Sequence, residues 1–290
     1  MIKNVVIPAA GLGTRLLSAT KEQPKEMLPV FGAGENGVLC LKPMIQQVFE
    51  QLFDLDFRNF YFVVGREKRA IEDHFTPNRN LIERLQVHGK NRNLKTLESF
   101  YNKVESTNIV WVNQPDPNGF GDAVLRAEPL MKEDAFMVHA GDTCILSSGS
   151  FHSRLVQVHE KYGSDATLSL KEIQGPTIRM YGVADASEAE QQTLTVRAVV
   201  EKPDAPRSKL AIMPIYVFKR NIFDALRATK PGKGGEIQLT DAIQKLIERG
   251  LKVLAVKLTA DEIRLDIGTP ETYWDALNQT YSHAVTRARG

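Results

Sequence analysis

The stretch Pro8–Pro29, which reads PAAGLGTRLLSATKEQPKEMLP, decides how the rest of this chain is interpreted. It directly follows a short apolar run that is typical of a buried strand. Its glycines, of which Gly11 comes first, let a backbone approach a ligand closely because no Cβ stands in the way. A run of backbone N–H groups at the start of a helix, with Arg15 and Lys25 nearby, is a good place to hold a polyphosphate. The stretch therefore predicts a phosphate-binding turn.

Two common phosphate-binding motifs do not fit this stretch. The dinucleotide-binding fingerprint requires a third glycine where this chain has Leu16. The P-loop requires Lys and then Ser or Thr directly after its last glycine, and Thr14-Arg15 does not supply them. The remaining alternative is a plain strand–helix turn in which the glycines serve geometry and the cations are solvated.

The composition narrows the class of protein. With 42% hydrophobic and 25% charged residues in 290, the chain can bury a large core. A net charge of +2 is too balanced for an electrostatic nucleic-acid binder. The two cysteines, Cys40 and Cys144, lie far apart and fit a reducing compartment. Neither a signal peptide nor a membrane-spanning stretch is recognisable, so we expect a soluble cytoplasmic protein that binds no membrane.

Apolar strands alternate with amphipathic helices through the first two-thirds of the chain. Strands are expected at residues 4–7, 60–64, 109–112, 135–138 and 166–170, and helices at 44–52, 70–75 and 151–162. This alternation predicts an α/β fold with a mainly parallel sheet covered on both faces. Ligands in such sheets bind at the carboxyl ends of the strands, which is where the glycine turn lies.

Two segments interrupt the alternation, and the pattern changes after Gly175. Phe31–Leu41 is expected to be an inserted surface loop, and residues 78–107 to be two helices with a polar break at 89–93. Later strands are expected at 196–200, 212–218 and 253–258, and helices at 239–247, with Thr240 or a neighbour as its cap, and at 273–285. We expect one domain over residues 1–290, with a nucleotide-binding half at about 1–145 and an acceptor half at about 146–290.

Two aspartates are candidate ligands of a divalent cation. Asp142 follows the apolar run 136–141, and Asp266 also ends a short apolar segment. Each alone is more often a turn former or a helix cap. Together they could share one Mg²⁺, whose oxygen ligands usually include substrate phosphates.

Further polar residues follow predicted strands. Glu201 could accept hydrogen bonds from sugar hydroxyls and Lys202 could hold a phosphate, although Glu-Lys-Pro alone usually marks a solvated strand end. Gln114 carries both a donor and an acceptor and could read a base edge, or it could belong to a polar loop. His139 is interpreted as structural. Without a G-x-S-x-G elbow or a Cys/His grouping, the chemistry is expected to rest on positioning and charge.

These residues together resemble the bacterial-type UTP–glucose-1-phosphate uridylyltransferases, or UDP-glucose pyrophosphorylases, of the sugar nucleotidyltransferase superfamily. The resemblance covers nearly the whole chain. It is carried by PAAGLGTR at 8–15, ATK at 19–21, PKEMLP at 24–29, GFG at 119–121 with AV at 123–124, Asp142, YGV at 181–183, VEKP at 200–203 and GEIQLTDAI at 235–243.

The resemblance implies a fold and a set of roles. The fold would be a Rossmann-like three-layer α/β/α core with a mixed, mainly parallel sheet. The catalytic residues would be Arg15, Lys25 and Lys202; the nucleotide-binding residues Ala9, Ala10, Gly11, Gly13, Glu26, Gln114 and Gly119; the sugar-binding residues Gly182, Glu201, Lys202 and Glu172; and the Mg²⁺ ligands Asp142 and Asp266. A homodimer or homotetramer is also implied.

The implied reaction transfers UMP from UTP to glucose 1-phosphate by in-line attack on the α-phosphorus, with release of pyrophosphate. Three departures from the family pattern leave the base and the sugar open: the longer segment Phe31–Leu41, the sequence PDPN at 115–118, and DIGTP at 266–270, which is closer to thymidylyltransferases. The alternatives are the same chemistry with dTTP or another hexose 1-phosphate, or a non-catalytic relative that binds a sugar nucleotide. Glu26, where thymidylyltransferases usually have Gln, favours UTP.

Overall fold

The computed structural model describes residues 2–87, 91–147, 151–189 and 193–289. Its strands are β1 Asn4–Pro8, β2 Pro29–Ala33, β3 Leu39–Pro43, β4 Asn59–Val64, β5 Asn108–Asn113, β6 Ala135–His139, β7 Thr143–Leu146, β8 Ala166–Glu172, β9 Gly182–Glu188, β10 Thr193–Glu201, β11 Leu210–Lys219, β12 Val253–Lys257 and β13 Ile263–Asp266. Its α-helices are α1 Leu17–Thr20, α2 Met44–Asp54, α3 Arg69–His74, α4 Arg79–Val87, α5 Asn91–Glu105, α6 Phe120–Arg126, α7 Phe151–Tyr162, α8 Asn221–Arg227, α9 Leu239–Glu248 and α10 Pro270–Arg289.

One large mixed sheet runs through both halves of the chain. In the described residues its strand order is β5-β4-β1-β6-β11-β8-β12-β10-β9. The pairs β5–β4, β4–β1, β1–β6 and β8–β12 are parallel, whereas β11 and β10 run against their neighbours. The other strands therefore point the same way, and the expected mixed, mainly parallel α/β sheet is confirmed.

Strand alternation sends successive side chains into two separate cores. Val5 and Ile7 point to one face of the sheet, where α2, α3, α5 and α7 pack, and Val6 points to the other. Helices α6, α8 and α9 cover that second face with residues such as Phe223 and Ile243. Both faces of the sheet are thus covered by helices, which gives the three-layer arrangement.

A third, smaller core holds the parts of the chain outside the main sheet. It contains Leu28 and Val30 at β2, Cys144 at β7, Leu265 beside β13 and Ala276 on α10. The β2–β3 hairpin and the β7–β13 pair are both two-stranded sheets, and α10 packs against β2 and β13. A two-stranded sheet is marginally stable alone, so this shared core stabilises both pairs.

The expectation of a loop at Phe31–Leu41 was wrong. Most of this segment is the β2–β3 hairpin, in which Phe31 pairs with Leu41 and Gly32 with Cys40. Only a short turn around Glu35–Gly37 connects the strands. The glycines suggested a loop, but alternate residues of β2 face the third core, which favours extended backbone.

Helices α4 and α5 confirm the helical pattern expected at residues 78–107. Residues 89 and 90 of the expected break lie outside the described residues, and residues 91–93 belong to α5, so the break expected at 91–93 was wrong. No helix in the described part of the chain is both long and apolar enough to cross a bilayer. The cysteines Cys40 and Cys144 are free thiols, and Cys144 is buried.

Phe49 lies at the centre of an aromatic cluster in the first core. It is fully buried, and its ring centroid lies 4.7 Å from that of Phe60 and 5.2 Å from that of Phe75. We expect Phe49→Ala to lower the free energy of unfolding by about 3–5 kcal/mol, because it removes buried area and leaves a cavity. Urea denaturation measures the change. Leu81→Ala, at a partly exposed position on α4, is the control and should cost less than about 1 kcal/mol; equal losses in both variants would contradict the assigned core.

Candidate active site

The pairing of β7 with β13 brings the two predicted metal ligands together. Asp266 pairs with Thr143, the residue that follows Asp142, and the Ile267 amide donates to the Asp142 carbonyl at 3.1 Å. Asp142 lies in the turn just beyond β6, at the carboxyl edge of the parallel strands. Two carboxylates from distant parts of the chain therefore share one location.

Lys25 forms an ion pair with Asp142. Burial alone would lower the pKa of Lys25, but the charges of Asp142 and Glu26 hold it above its ordinary value. Burial alone would raise the pKa of Asp142, but the charge and hydrogen bond of Lys25 hold it below its ordinary value. Burial, together with the nearby Asp142 charge, raises the pKa of Asp266 even though Arg264 opposes the shift. The second carboxylate is thus a buried group whose charged form is disfavoured mainly by desolvation, and a bound cation would favour that charged form.

Glu26 follows Lys25 in a short 3-10 turn and is almost completely buried. Its carboxylate lies 3.2 Å from the ammonium of Lys68, which also donates to the Gly11 carbonyl at 2.6 Å. Burial raises the pKa of Glu26, against the effect of Lys68 and Lys25. Lys68 therefore joins the glycine turn to Glu26, and it is a site residue that the sequence interpretation missed.

The glycine turn leads into two short helical segments. Gly13 has φ +65°, and Thr20 donates from its hydroxyl to the Gly13 carbonyl at 2.9 Å. A three-residue 3-10 turn and the single turn of α1 follow. Pro24 limits the segment because the residue before a proline avoids helical backbone. Arg15 is exposed, and a Cβ on Gly268, beside Asp266, would lie 3.4 Å from its guanidinium.

Gln114 and Gly119 form the wall beside this turn. Gln114 is buried just beyond β5, where its amide nitrogen donates to Asp122 at 2.7 Å and to the Gly119 carbonyl at 3.2 Å. Gly119 has φ +108°, and a Cβ there would lie 2.7 Å from Glu236 Cβ, so only glycine fits. A Cβ on Gly65 would lie 3.4 Å from the Gln114 carbonyl and 3.5 Å from Ala10, so the wall lies next to the turn.

The first residue of the turn has a structural contact of its own. The Ala9 amide donates to the Val63 carbonyl at 2.8 Å, so it continues the sheet rather than facing outward.

Glu201 and Gly182 form a second part of the site. Thr240 donates from its hydroxyl to Glu201 at 2.7 Å, and the Lys202 ammonium lies 3.2 Å from the same carboxylate. A Cβ on Gly182 would lie 2.9 Å from the Thr240 hydroxyl and 3.1 Å from Glu201, so glycine is what lets these two side chains lie this close to the strand. Thr240 was expected as a possible cap of α9, but that helix has no side-chain cap. The Thr240 hydroxyl orients Glu201 instead.

Glu172 is placed differently from the other predicted sugar-binding residues. It lies at the exposed end of β8, where it accepts a hydrogen bond from Gln174 at 2.7 Å. Among the described residues it makes no hydrogen bond to Glu201 or Lys202.

Arg264 connects the two parts of the site. Its buried guanidinium lies 3.0 Å from Asp266 and 3.5 Å from the hydroxyl of Tyr181, the residue before Gly182. The sequence interpretation missed this residue as it missed Lys68 and Asp122. The available signal was alternation in the short run 263–266, which sends Arg264 and Asp266 to one side of the strand.

The residues around Asp142 and Asp266 fit a divalent cation that prefers oxygen ligands. The described residues contain no group of three or more His, Cys, Asp or Glu side chains that could hold a metal ion. Mg²⁺ commonly binds through one or two carboxylates and completes its coordination with water and substrate phosphates. Two carboxylates beside an expected polyphosphate site match that requirement.

The Lys25–Asp142 pair has a pH dependence of known sign. The pKa of Asp142 is lower in the folded protein than in the unfolded chain. The ion pair therefore contributes stability that is fully present above the pKa of the unfolded chain, and this stability is lost as the pH falls through the pKa of the folded protein. We expect Asp142→Asn to lower the free energy of unfolding by about 3 kcal/mol at pH 7. The difference from the wild type should narrow below about pH 4, near the ordinary aspartate value.

Urea denaturation between pH 3 and pH 7 measures this difference. Glu22→Gln is the control, because Glu22 pairs only with exposed Lys21 at 3.4 Å and should show no such trend. A difference that stays constant across this pH range would contradict the assigned ion pair.

Comparison with known proteins follows this geometry. The nucleotidyl transferase family matches residues 4–283. The chain is 35% identical over 288 residues to a UTP–glucose-1-phosphate uridylyltransferase of Pseudomonas aeruginosa, covering 98% of this chain and 97% of that protein. It is 37% identical over 270 residues to a UTP–glucose-1-phosphate uridylyltransferase of Staphylococcus haemolyticus, covering 92% and 88%.

A solved structure gives the same result. A UDP-glucose pyrophosphorylase complexed with UDP-glucose matches with a TM-score of 0.82 at 32% identity, over 97% of this chain and 99% of the other. The resemblance stated from the sequence is therefore confirmed, as is the α/β fold that it implied. The chain belongs to the nucleotidyl transferase family.

Proposed function

We propose that this protein transfers UMP from UTP to glucose 1-phosphate, giving UDP-glucose and pyrophosphate. The observation that carries the proposal is the cluster of Lys25, Asp142 and Asp266 beside the Gly11 turn, in a chain whose relatives are named for this reaction. The cluster supplies the charges that a triphosphate requires, and the glycine turn supplies close backbone approach. A non-catalytic role is disfavoured because Arg15, Lys202 and the three residues of the cluster are all present.

The first role of the residues is to bind the nucleotide. Gln114 and Gly119 would contact the base, with Ala10 and the Gly11 turn against the nucleotide. Lys68 supports this arrangement because it fixes the Gly11 carbonyl and Glu26 at once. Glu26 would contact the base or the ribose from its buried position, together with the backbone around Ala9 and Gly13.

The second role is to hold the sugar phosphate. Glu201 would accept hydrogen bonds from sugar hydroxyls, since Thr240 and Lys202 already fix the direction of its carboxylate. Gly182 would contact the sugar through its backbone, and Lys202 would hold the phosphate. Lys202 has φ +41°, a backbone conformation that is uncommon outside glycine and often marks functional residues. Glu172 is the least supported of these assignments, because its carboxylate points to Gln174.

In the reaction, an oxygen of the sugar phosphate attacks the α-phosphorus and the bond from that phosphorus to the pyrophosphate oxygen breaks. The attacking phosphate is already an anion, so no general base is required. Lys25 and Arg15 would balance the charge that develops on the departing pyrophosphate. Alignment of the two substrates in the two parts of the site would supply the remaining rate enhancement.

Mg²⁺ is part of the proposal, with Asp142 and Asp266 as its ligands. When bound there, it would neutralise phosphate charge and orient the triphosphate. The raised pKa of Asp266 supports this assignment because it reflects a buried carboxylate next to another one. A cytoplasmic homodimer or homotetramer is also proposed, supported by the family resemblance and by exposed apolar residues such as Leu41, Trp274 and Tyr281.

The substrates can be tested with the purified protein by measuring pyrophosphate release and product mass. We expect UDP-glucose from UTP and glucose 1-phosphate in the presence of Mg²⁺, and no turnover after chelation with EDTA. A panel of dTTP, CTP, ATP and other hexose 1-phosphates sets the selectivity. A clear preference for dTTP or for another hexose would contradict the proposed substrates while preserving the reaction class.

The charge assignment can be tested with Lys25→Ala. We expect kcat/KM to fall about 100- to 1,000-fold, the loss typical of removing one stabilising donor from an active site. Lys21→Ala is the matched control, because Lys21 is an exposed lysine of the same stretch and pairs only with Glu22. Its kcat/KM should stay within about twofold of the wild-type value; circular dichroism verifies that both variants fold. Wild-type activity in Lys25→Ala would refute its role.

A further inference from the structure

The side-chain amide of Gln114 is held in one orientation by the protein itself. Gln114 is only 4% exposed, and its amide nitrogen lies 2.7 Å from Asp122 Oδ2 and 3.2 Å from the Gly119 carbonyl oxygen. A carboxylate and a carbonyl can only accept hydrogen bonds. Both N–H groups of the amide are therefore directed at the protein. In the reverse orientation the amide oxygen would face the Asp122 carboxylate and the Gly119 carbonyl, neither of which can donate a hydrogen bond to it.

Asp122 is in turn fixed as an acceptor. It is buried on α6, and Arg126, one turn further along the same helix, lies 3.1 Å from its other carboxylate oxygen. The guanidinium of Arg126 can only donate, so it reinforces the charged carboxylate. Arg126 and Gln114 therefore both donate hydrogen bonds to Asp122.

The remaining atom of the amide, Gln114 Oε1, accepts no hydrogen bond in the described part of the chain. It is absent from the buried atoms that lack a partner, so it retains contact with solvent. The backbone carbonyl of Gln114 lies near Gly65 and Ala10, so the residue itself adjoins the nucleotide turn. What Gln114 offers a ligand is an acceptor only.

We propose that Asp122 is a positioning residue that makes Gln114 a fixed acceptor and thereby selects a base with an N–H at the matching edge. Uracil carries such an N–H at N3, whereas cytosine carries a lone pair there. Two acceptors facing each other leave both without a partner, and a site built this way discriminates strongly. The inference rests on the proposed function, since it assigns the base selectivity of the same site.

The test compares kcat/KM for UTP and for CTP, each with glucose 1-phosphate, in three proteins. We expect the wild type to prefer UTP by about 100-fold or more. In Asp122→Asn the side chain can donate as well as accept, so only the more distant Gly119 carbonyl still favours the original orientation, and the Gln114 amide can rotate to present its N–H groups to the base. The UTP-to-CTP ratio should then fall at least about tenfold, mainly because CTP is used better.

Arg126→Ala is the matched control, because it removes the neighbouring charge but leaves Asp122 an acceptor. Its ratio should stay within about threefold of the wild-type value. Should Asp122→Asn not fold, Asp122→Ser provides the same test, since a hydroxyl can also donate or accept. Equal losses for UTP and CTP in the Asp122 variant would show a purely structural role and overturn the inference.

Failure of the proposed function and failure of the role of Asp122 give different results. If the wild type makes no UDP-glucose, the proposed function fails, and the comparison moves to the dissociation constants of UTP and CTP measured by calorimetry. A tenfold fall in the ratio of the CTP to the UTP dissociation constant in Asp122→Asn would still support the inference. Turnover with an unchanged UTP-to-CTP ratio would leave the function standing and refute the role of Asp122.

Discussion

Four residue pairs between β7 and β13 determine where the charges of this molecule meet. The two strands are short and lie outside the main sheet, yet their register places Asp266 opposite Thr143 and so beside Asp142. The third core stabilises this register through Cys144 on β7 and Leu265 on β13. A slip of one residue would turn the Asp266 side chain to the other face of the strand. The position of the proposed metal ligands thus depends on a small apolar cluster outside the main sheet.

Around this pairing the structure buries an unusual number of charges close together. Lys25 pairs with Asp142, Lys68 with Glu26, and Arg264 with Asp266. Buried ion pairs cost desolvation free energy and add little net stability, so stability alone does not explain three of them in one place. They are consistent with a site that keeps charges ready for a polyphosphate, because the partners can exchange protein contacts for ligand contacts without new desolvation.

Long periodic segments were predictable from the sequence, and short or contact-dependent features were not. Strands such as β1 and β4 are continuous apolar runs and were identified from that pattern. The β2–β3 hairpin was predicted as a loop because its glycines are typical of loops. The alternation of buried and partly exposed residues around Val30, which is typical of a strand, was too short to be recognised. Strands β7 and β13 span four residues each, too few for a period to be recognised. Their pairing is a long-range contact that no local pattern carries.

The same distinction holds within the site. Asp142 and Asp266 could be selected because aspartate after an apolar strand is a recognisable pattern. Lys68 stands among charged neighbours that suggest a solvated loop, and Glu67 at φ +69° turns the backbone so that Lys68 is buried. The contact of Asp122 with Gln114 depends on how α6 packs against β1 and β4 and is visible only in three dimensions.

The central claim is that the β7–β13 pairing creates one cation site from two distant aspartates. Mn²⁺, which substitutes for Mg²⁺ and has an EPR signal when free, measures this directly. In the presence of UTP, the wild type should bind Mn²⁺, and Asp142→Asn and Asp266→Asn should each weaken binding at least about tenfold, the lower limit seen when metal-site partners are altered. Mn²⁺ affinity that is unchanged in both variants would contradict the account.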